Sequence, residues 1–180
     1  MNNNLIFDVG LHKGEDSLYY LTKGFRVIGI DADHSLIENA RNYFSKYLMS
    51  NQLILLNFAL SNNDDEELDF HISRLPEWNS LKKSISDRDG MYKETIKVKS
   101  KKLSSIMIEF GVPSYCKIDV EAADKVCLET LSDLDELPKY ISVETECLGE
   151  FETETEEQAL DTLNILNKLG YRRYKLVDQR

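Results

Sequence analysis

Apolar residues fall in short runs separated by polar, helix-like stretches. Leu5-Ile-Phe-Asp-Val9 is almost wholly apolar and breaks at once into Gly10-Leu-His-Lys-Gly14. That pattern predicts a buried strand, a glycine-bracketed turn and a helix from about Glu15. In that helix Leu18 and Leu21 stand three apart and face the sheet, and Gly24 ends it as a C′ residue. Phe25 to Ile30 is a second apolar run, closed by Asp31-Ala-Asp33. Ser35-x-x-Glu38 reads as a capping box, and Ile37, Ala40, Phe44 and Tyr47 then recur at helical spacing. Leu53 to Phe58 is a third strand, running into Ala59-Leu60-Ser61.

From Asn62 to Ser100 the texture changes. Leu68 to Ile72 and Thr95 to Lys99 alternate, which predicts two half-exposed strands. Between them Ser73 to Glu94 is polar and irregular, and a stretch of that length is either a functional lid or disordered. Trp78 within it reads as a packing anchor, followed by Asn79 and Ser80. Leu103, Ile106, Met107 and Phe110 mark a short amphipathic helix ended by Gly111 and Pro113. Tyr115 to Asp119 is the fourth major strand, and Glu121-Ala-Ala-Asp124 turns into a helix carrying Val126, Leu128 and Leu131. Tyr140 to Val143 is the fifth strand, leading to Glu144 and Glu146. Thr155-x-x-Gln158 opens a further helix with Leu160, Leu163, Ile165, Leu166 and Leu169, closed by Gly170, and Tyr171 to Val177 reads as a last strand.

Strand and helix alternate, so the expected fold is α/β: a Rossmann-like, doubly wound, mostly parallel sheet with helices on both faces. The chain is read as one domain, 1–180, with a strand-and-loop insertion at about 62–100. An edge strand beyond residue 180 is expected, because the last strand has no obvious partner after it.

Composition narrows the function. Net charge is −10, with 42% hydrophobic and 30% charged residues. An acidic chain lacks the clustered Lys and Arg that nucleic acid or an anionic membrane requires, so neither is an expected partner. Cys116, Cys127 and Cys147 have no C-x-x-C spacing, which points to small core residues in a reducing, cytoplasmic setting. No run approaches the roughly 18 apolar residues of a membrane span, and no secretory signal pattern opens the chain.

The candidate chemistry lies where strands end. Asp8 and the turn from Gly10 to Gly14 would present backbone N–H groups at an open sheet edge, and glycine permits close approach there. Asp31 follows Gly14 at close to the roughly 20-residue spacing of an acidic residue that grips a ribose. Ala32 follows it. Ala59-Leu60 just past the third strand leaves room for a flat ring, or else marks tight helix–sheet packing. Asp119 with Glu121 and Glu144 with Glu146 complete an acidic rim that suits a cationic ligand bearing a ribose. No G-x-G-x-x-G or G-x-x-x-x-G-K-[ST] motif is present, which disfavours a nicotinamide enzyme and a phosphate donor.

Asp8-Val-Gly-Leu-His-Lys-Gly14 resembles the first motif of class I S-adenosylmethionine-dependent methyltransferases. The order of that motif, Ala59-Leu60-Ser61, Leu103, Cys116-Lys-Ile-Asp-Val-Glu-Ala-Ala-Asp124 and Val143-Glu144 is similar to the FkbM-type family, from about Ile6 to Tyr171. Departures are Ala122 for a common Gly, Asp124 for a common Glu, His12 and Lys13 in the first loop, and Asp31-Ala-Asp33 for Glu-Pro. The resemblance implies S-adenosylmethionine as cofactor and O-methylation of a small molecule or glycan. It implies Asp8, Gly10, Gly14, Asp31, Ala32, Ala59 and Leu60 around the cofactor. Asp119 or Glu121, and then His12, are the candidate bases, with Asn79, Ser80 and Glu144 toward the acceptor; no metal is called. The alternative is a non-catalytic cofactor-binding or interaction module on the same fold.

Overall fold

The computed structural model describes residues 4–121, 123–144 and 156–177. It divides into two compact units, 1–144 and 145–180.

The first unit is built on a five-stranded parallel sheet. Its strands are β1 (Leu5–Val9), β2 (Arg26–Asp31), β3 (Leu53–Asn57), β7 (Tyr115–Ile118) and β8 (Tyr140–Val143), in the order β3-β2-β1-β7-β8. β1 is central and buried along its whole length, as an apolar run covered on both faces must be. Strand order reverses between β1 and β7, so a crevice opens there beyond the strands' carboxyl ends.

Helices α1 (Glu15–Thr22), α2 (His34–Tyr43) and α3 (Ser45–Met49) follow β1 and β2. Leu11, Leu21, Ile37, Ala40 and Phe44 pack with Val27, Leu53 and Leu55 into one buried cluster. Helices α5 (Leu103–Phe110) and α6 (Asp124–Thr130) bury Leu103, Ile106, Met107, Cys127 and Leu128. Cys116 is buried as well; Cys147 lies outside the described residues.

The insertion is a second, small sheet in the order β4-β6-β5. β5 (Glu67–Ser73) and β6 (Tyr92–Lys101) form an antiparallel hairpin with its own core of Phe70, Ile72, Val98 and Ala59. The two-residue β4 (Ala59–Leu60) pairs in parallel with the end of β6. The segment between β5 and β6 is ordered. It carries a 3-10 turn at Pro76–Trp78, the single turn α4 (Lys83–Ser86) and another 3-10 turn at Arg88–Gly90.

Three expectations are corrected. Helix α2 starts two residues earlier than the Ser35 capping box implies: Asp33 is the cap, and its Oδ1 accepts from Ser35 N at 2.8 Å. A carboxylate already positioned at the chain's exit from β2 satisfies the first free N–H more strongly than a serine hydroxyl. The expected single helix through Tyr47 breaks at Phe44 (φ −96°, ψ 19°), whose ring occupies the space that a side chain at Gly14 would fill. In the second unit, α7 (Glu156–Lys168) forms and Gly170 follows it at φ 103°. Tyr171 to Val177 is not a strand; Arg172 bonds back to the Asn167 carbonyl and side chain, and the Tyr174 hydroxyl to the Tyr171 carbonyl. Thr155 and Glu146 lie outside the described residues.

Candidate active site

The turn after β1 is locked from two sides. The N–H groups of Gly10 and Leu11 both donate to the Ile30 carbonyl, at 2.9 and 3.0 Å. Gly10 has φ +84°, and a Cβ there would lie 1.8 Å from the Asp119 carbonyl oxygen. The turn therefore passes between the ends of β2 and β7 only because residue 10 has no side chain. Leu11 reaches back over Gly29, where a Cβ would meet its Cδ1 at 3.0 Å. A glycine inside a strand marks such a close approach. Gly14, at φ +78°, begins α1 and makes room for Phe44.

His12 sits in the left-handed region at φ 50°. Its N–H donates to Asp31 Oδ2 at 2.9 Å, and Asp33 N–H donates to Asp31 Oδ1 at 2.8 Å. Both carboxylate oxygens are thereby oriented by backbone, and each retains a further lone pair. Burial pushes the Asp31 carboxyl up to about 6 against these hydrogen bonds, which pull it down. Asn57 fastens the other side by donating to the carbonyls of Asp31 and Ala32.

Lys117 organises the β7 side. Its Nζ lies 2.9 Å from Asp119, 3.2 Å from Asp16 and 3.9 Å from Asp8. Asp8 is 1% exposed; Oδ2 accepts from Ser17 Oγ at 2.6 Å, while Oδ1 has no hydrogen-bond partner. Burial raises Asp8 to about 7, opposed first by Lys117 and then by the Ser17 hydrogen bond. Lys117 is raised above its usual value, because the carboxylates of Asp8 and Asp119 outweigh its own burial. Glu144, just past β8, is pushed up to about 8, by burial first and then by the Asp119 carboxyl.

The insertion closes over this rim. Asn79 Nδ2 donates to Asp33 Oδ2 at 2.9 Å, and Asn79 Oδ1 accepts from Ser73 N–H at 2.8 Å. Ser80 Oγ donates to the Glu121 carbonyl at 2.8 Å. Arg88 stands 4.0 Å from Glu121, and Glu77 stands 4.0 Å from His12 Nε2. The segment thus touches the loops after β1, β2 and β7.

Beneath it lies a cavity of about 400 Å³, within the range of small-molecule sites. Gly10, His12, Asp31, Ala32, Ala59, Leu60, Asn79, Asp119, Glu121 and Glu144 all line it. Asp8, Gly14 and Ser80 do not: Asp8 supports Lys117 from behind, Gly14 accommodates Phe44, and Ser80 ties the insertion to Glu121. Apolar walls come from Ile30, Leu36, Phe58, Phe70 and Leu81. Seven carboxyl groups line the cavity, and among the described residues Lys117 is its one lysine or arginine. Sequence reasoning missed Lys117, Leu11 and Glu77. Gly29 inside β2 was the available signal for Leu11. Among the described residues no group of three or more His, Cys, Asp or Glu is arranged to hold a metal ion. No helix of the described residues is long and apolar enough to cross a membrane.

Residues 8–173 match the family model described as "Methyltransferase FkbM domain". Among solved structures, the chain is similar to a crystal structure of methyltransferase FkbM from Methylobacillus flagellatus KT. The TM-score is 0.51 at 19% identity, covering 90% of this chain and 36% of that one. At that identity the likeness speaks to the fold, and this chain spans well under half of that protein's length. No curated protein matches the chain.

Proposed function

Because the chain belongs to the methyltransferase FkbM domain family, we propose that it transfers a methyl group from S-adenosylmethionine to a hydroxyl on a small molecule or glycan. The observation that carries this is Asp31: an acceptor-only carboxylate at the end of β2, oriented by two backbone N–H groups and facing a cavity of about 400 Å³. Such a group pairs with the two hydroxyls of a ribose, at about 1.5–3 kcal/mol per charge-assisted hydrogen bond.

The lining supports this reading for the base, the ribose and the sulfonium. Ala32, Ala59, Leu60 and Phe58 offer small or apolar surface near Asp31 for a flat base. The acidic end at Asp119, Glu121 and Glu144 suits a positive charge. When bound, the cofactor supplies a methyl group activated by its sulfonium. The chain's own part is to bind, orient and exclude water, and alignment alone is worth about 7–11 kcal/mol in favourable cases.

A hydroxyl acceptor must also lose its proton. Asp119 and Glu121 reach the cavity from the loop after β7, and His12 from the loop after β1. Among these, His12 Nε2 has no hydrogen-bond partner. Asn79 and Glu144 also line the cavity and are the residues we assign to the acceptor, and Ser80 holds the segment that carries Asn79.

The test is a thermal melt with S-adenosylhomocysteine, followed by a screen of hydroxyl acceptors. A ligand at 100 times its Kd stabilises by about 2.7 kcal/mol. Asp31→Ala should remove that stabilisation while the variant still melts cooperatively. No stabilisation of the wild type would sink the assignment.

A further inference from the structure

An anionic group that enters the cavity meets seven carboxyl groups and, among the described residues, a single lysine or arginine, Lys117. In the parallel ladder Lys117 stands opposite Asp8, at the β1–β7 boundary where the strand order reverses. Ligands of such sheets lie beyond that boundary.

The geometry holds Nζ in place and leaves it a proton to give. Asp119 Oδ2 lies at 2.9 Å and Asp16 Oδ2 at 3.2 Å, both within hydrogen-bond reach. Asp8 Oδ1, at 3.9 Å, is beyond it. An ammonium carries three donors, so two near carboxylates leave the third for an occupant of the cavity. The loop after β7 is fixed as well, since the Asp119 N–H donates to the Val9 carbonyl at 3.0 Å.

We propose that Lys117 binds the α-carboxylate at the amino-acid end of the cofactor, and that Asp16 on α1 takes the neighbouring ammonium. This rests on the methyl-transfer reading. The two charges of an amino acid sit on one carbon, and Nζ and the half-exposed Asp16 carboxylate offer their opposites 3.2 Å apart. One strand, β1, separates β2, which ends in Asp31, from β7. At ordinary strand spacing that is roughly 10 Å, a span that a nucleoside with an amino-acid tail covers. Anywhere else in the cavity the carboxylate faces like charge without a lysine or arginine to offset it.

The experiment is titration calorimetry with S-adenosylhomocysteine and with its decarboxylated form, which keeps the nucleoside, the sulfur and the ammonium. An acidic cavity without a carboxylate site favours the decarboxylated cation. With Lys117 as that site, the wild type should instead bind S-adenosylhomocysteine roughly 10- to 100-fold more tightly, the range of a charged hydrogen bond. Lys117→Met should abolish that advantage while the decarboxylated ligand still binds. Asp16→Asn should weaken both ligands alike, since both keep the ammonium. A wild type that binds the decarboxylated ligand as tightly overturns the proposal, as does an advantage that survives Lys117→Met. Unchanged affinities in Asp16→Asn overturn the ammonium half. Should Lys117→Met not fold, Asp8→Asn is added to it, which removes the buried charge the lysine leaves behind, and the wild-type comparison needs no variant at all. If neither ligand binds, the cofactor reading falls and takes this one with it; if both bind without preference for the carboxylate, only the Lys117 site falls.

Discussion

Replacing Asp31 with Asn should make the free protein more stable at pH 7.5 and, on the proposed function, blind to S-adenosylhomocysteine. The carboxyl is raised from its ordinary 3.8 to about 6 by burial. An acid whose folded pKa lies above its unfolded one binds its proton more tightly when folded. Its ionisation therefore erodes stability as pH rises from about 4 through 6. At about 1.4 kcal/mol per pH unit, that gap makes ionised Asp31 cost roughly 3 kcal/mol above pH 6, an upper figure because water enters the cavity. Asn removes the charge but brings its own conflict. Both carboxylate oxygens accept backbone N–H groups, from His12 and Asp33, so the amide nitrogen must face one of these donors in either orientation. That returns about 1–2 kcal/mol. The net expectation is a gain of about 1–2 kcal/mol at pH 7.5, or roughly 2–8 °C in Tm at this chain length. Near pH 4 the gain should vanish or turn into a small loss, since the wild type is then protonated too. Thermal melts at both pH values, with and without S-adenosylhomocysteine, read both effects. A variant less stable than wild type at pH 7.5 yet equal to it at pH 4 would refute the electrostatic reasoning. One that kept the ligand-induced shift would remove Asp31 from the site.

Gly10→Ala should cost at least about 2 kcal/mol in urea melts, because its Cβ would collide with the Asp119 carbonyl on top of left-handed strain. Gly24→Ala, at φ +88° with nothing within 4 Å, should cost only about 1–2 kcal/mol, so equal losses at the two positions would discount the collision. Ser17→Ala should destabilise by about 1–2 kcal/mol at pH 8.5 and by less at pH 5.5, because Asp8, raised to about 7, needs that hydroxyl most when ionised; a pH-independent loss would contradict this. Asn79→Ala and Asp33→Ala should each destabilise, and a double-mutant cycle should return a coupling of about 0.5–3 kcal/mol. Strict additivity would mean that the 2.9 Å contact between them contributes nothing.

Periodicity made the frame legible. β1, the glycine turn, α1 and β2 follow from apolar runs and two glycines, and alternation located both hairpin strands. Asp31 was readable from its place after a strand and its distance from the turn. What stayed hidden depends on contacts far apart in sequence. Nothing local marks Asp33 as a better cap than Ser35, because its second role is to accept from Asn79, 46 residues later. Lys117 sits in an apolar strand, and its importance comes from Asp8, Asp16 and Asp119 converging on it from three elements. Ser73 to Glu94 looked shapeless because its order comes from the rim it rests on, through Asn79, Ser80 and Glu77. Tyr171 to Val177 carried a strand-like composition without the neighbouring ladder that a strand requires.

The two ends of the insertion run side by side within the small sheet, since Ala59 pairs with Ser100 and Leu60 with Lys101. A segment whose two ends are stapled side by side and whose interior holds its own small core is modular. Exchange of residues 61–99 for another segment would therefore not require rethreading the scaffold. Recombination at that junction would reshape the roof of the cavity, and a replacement would have to supply its own ties to Asp33 and the Glu121 carbonyl.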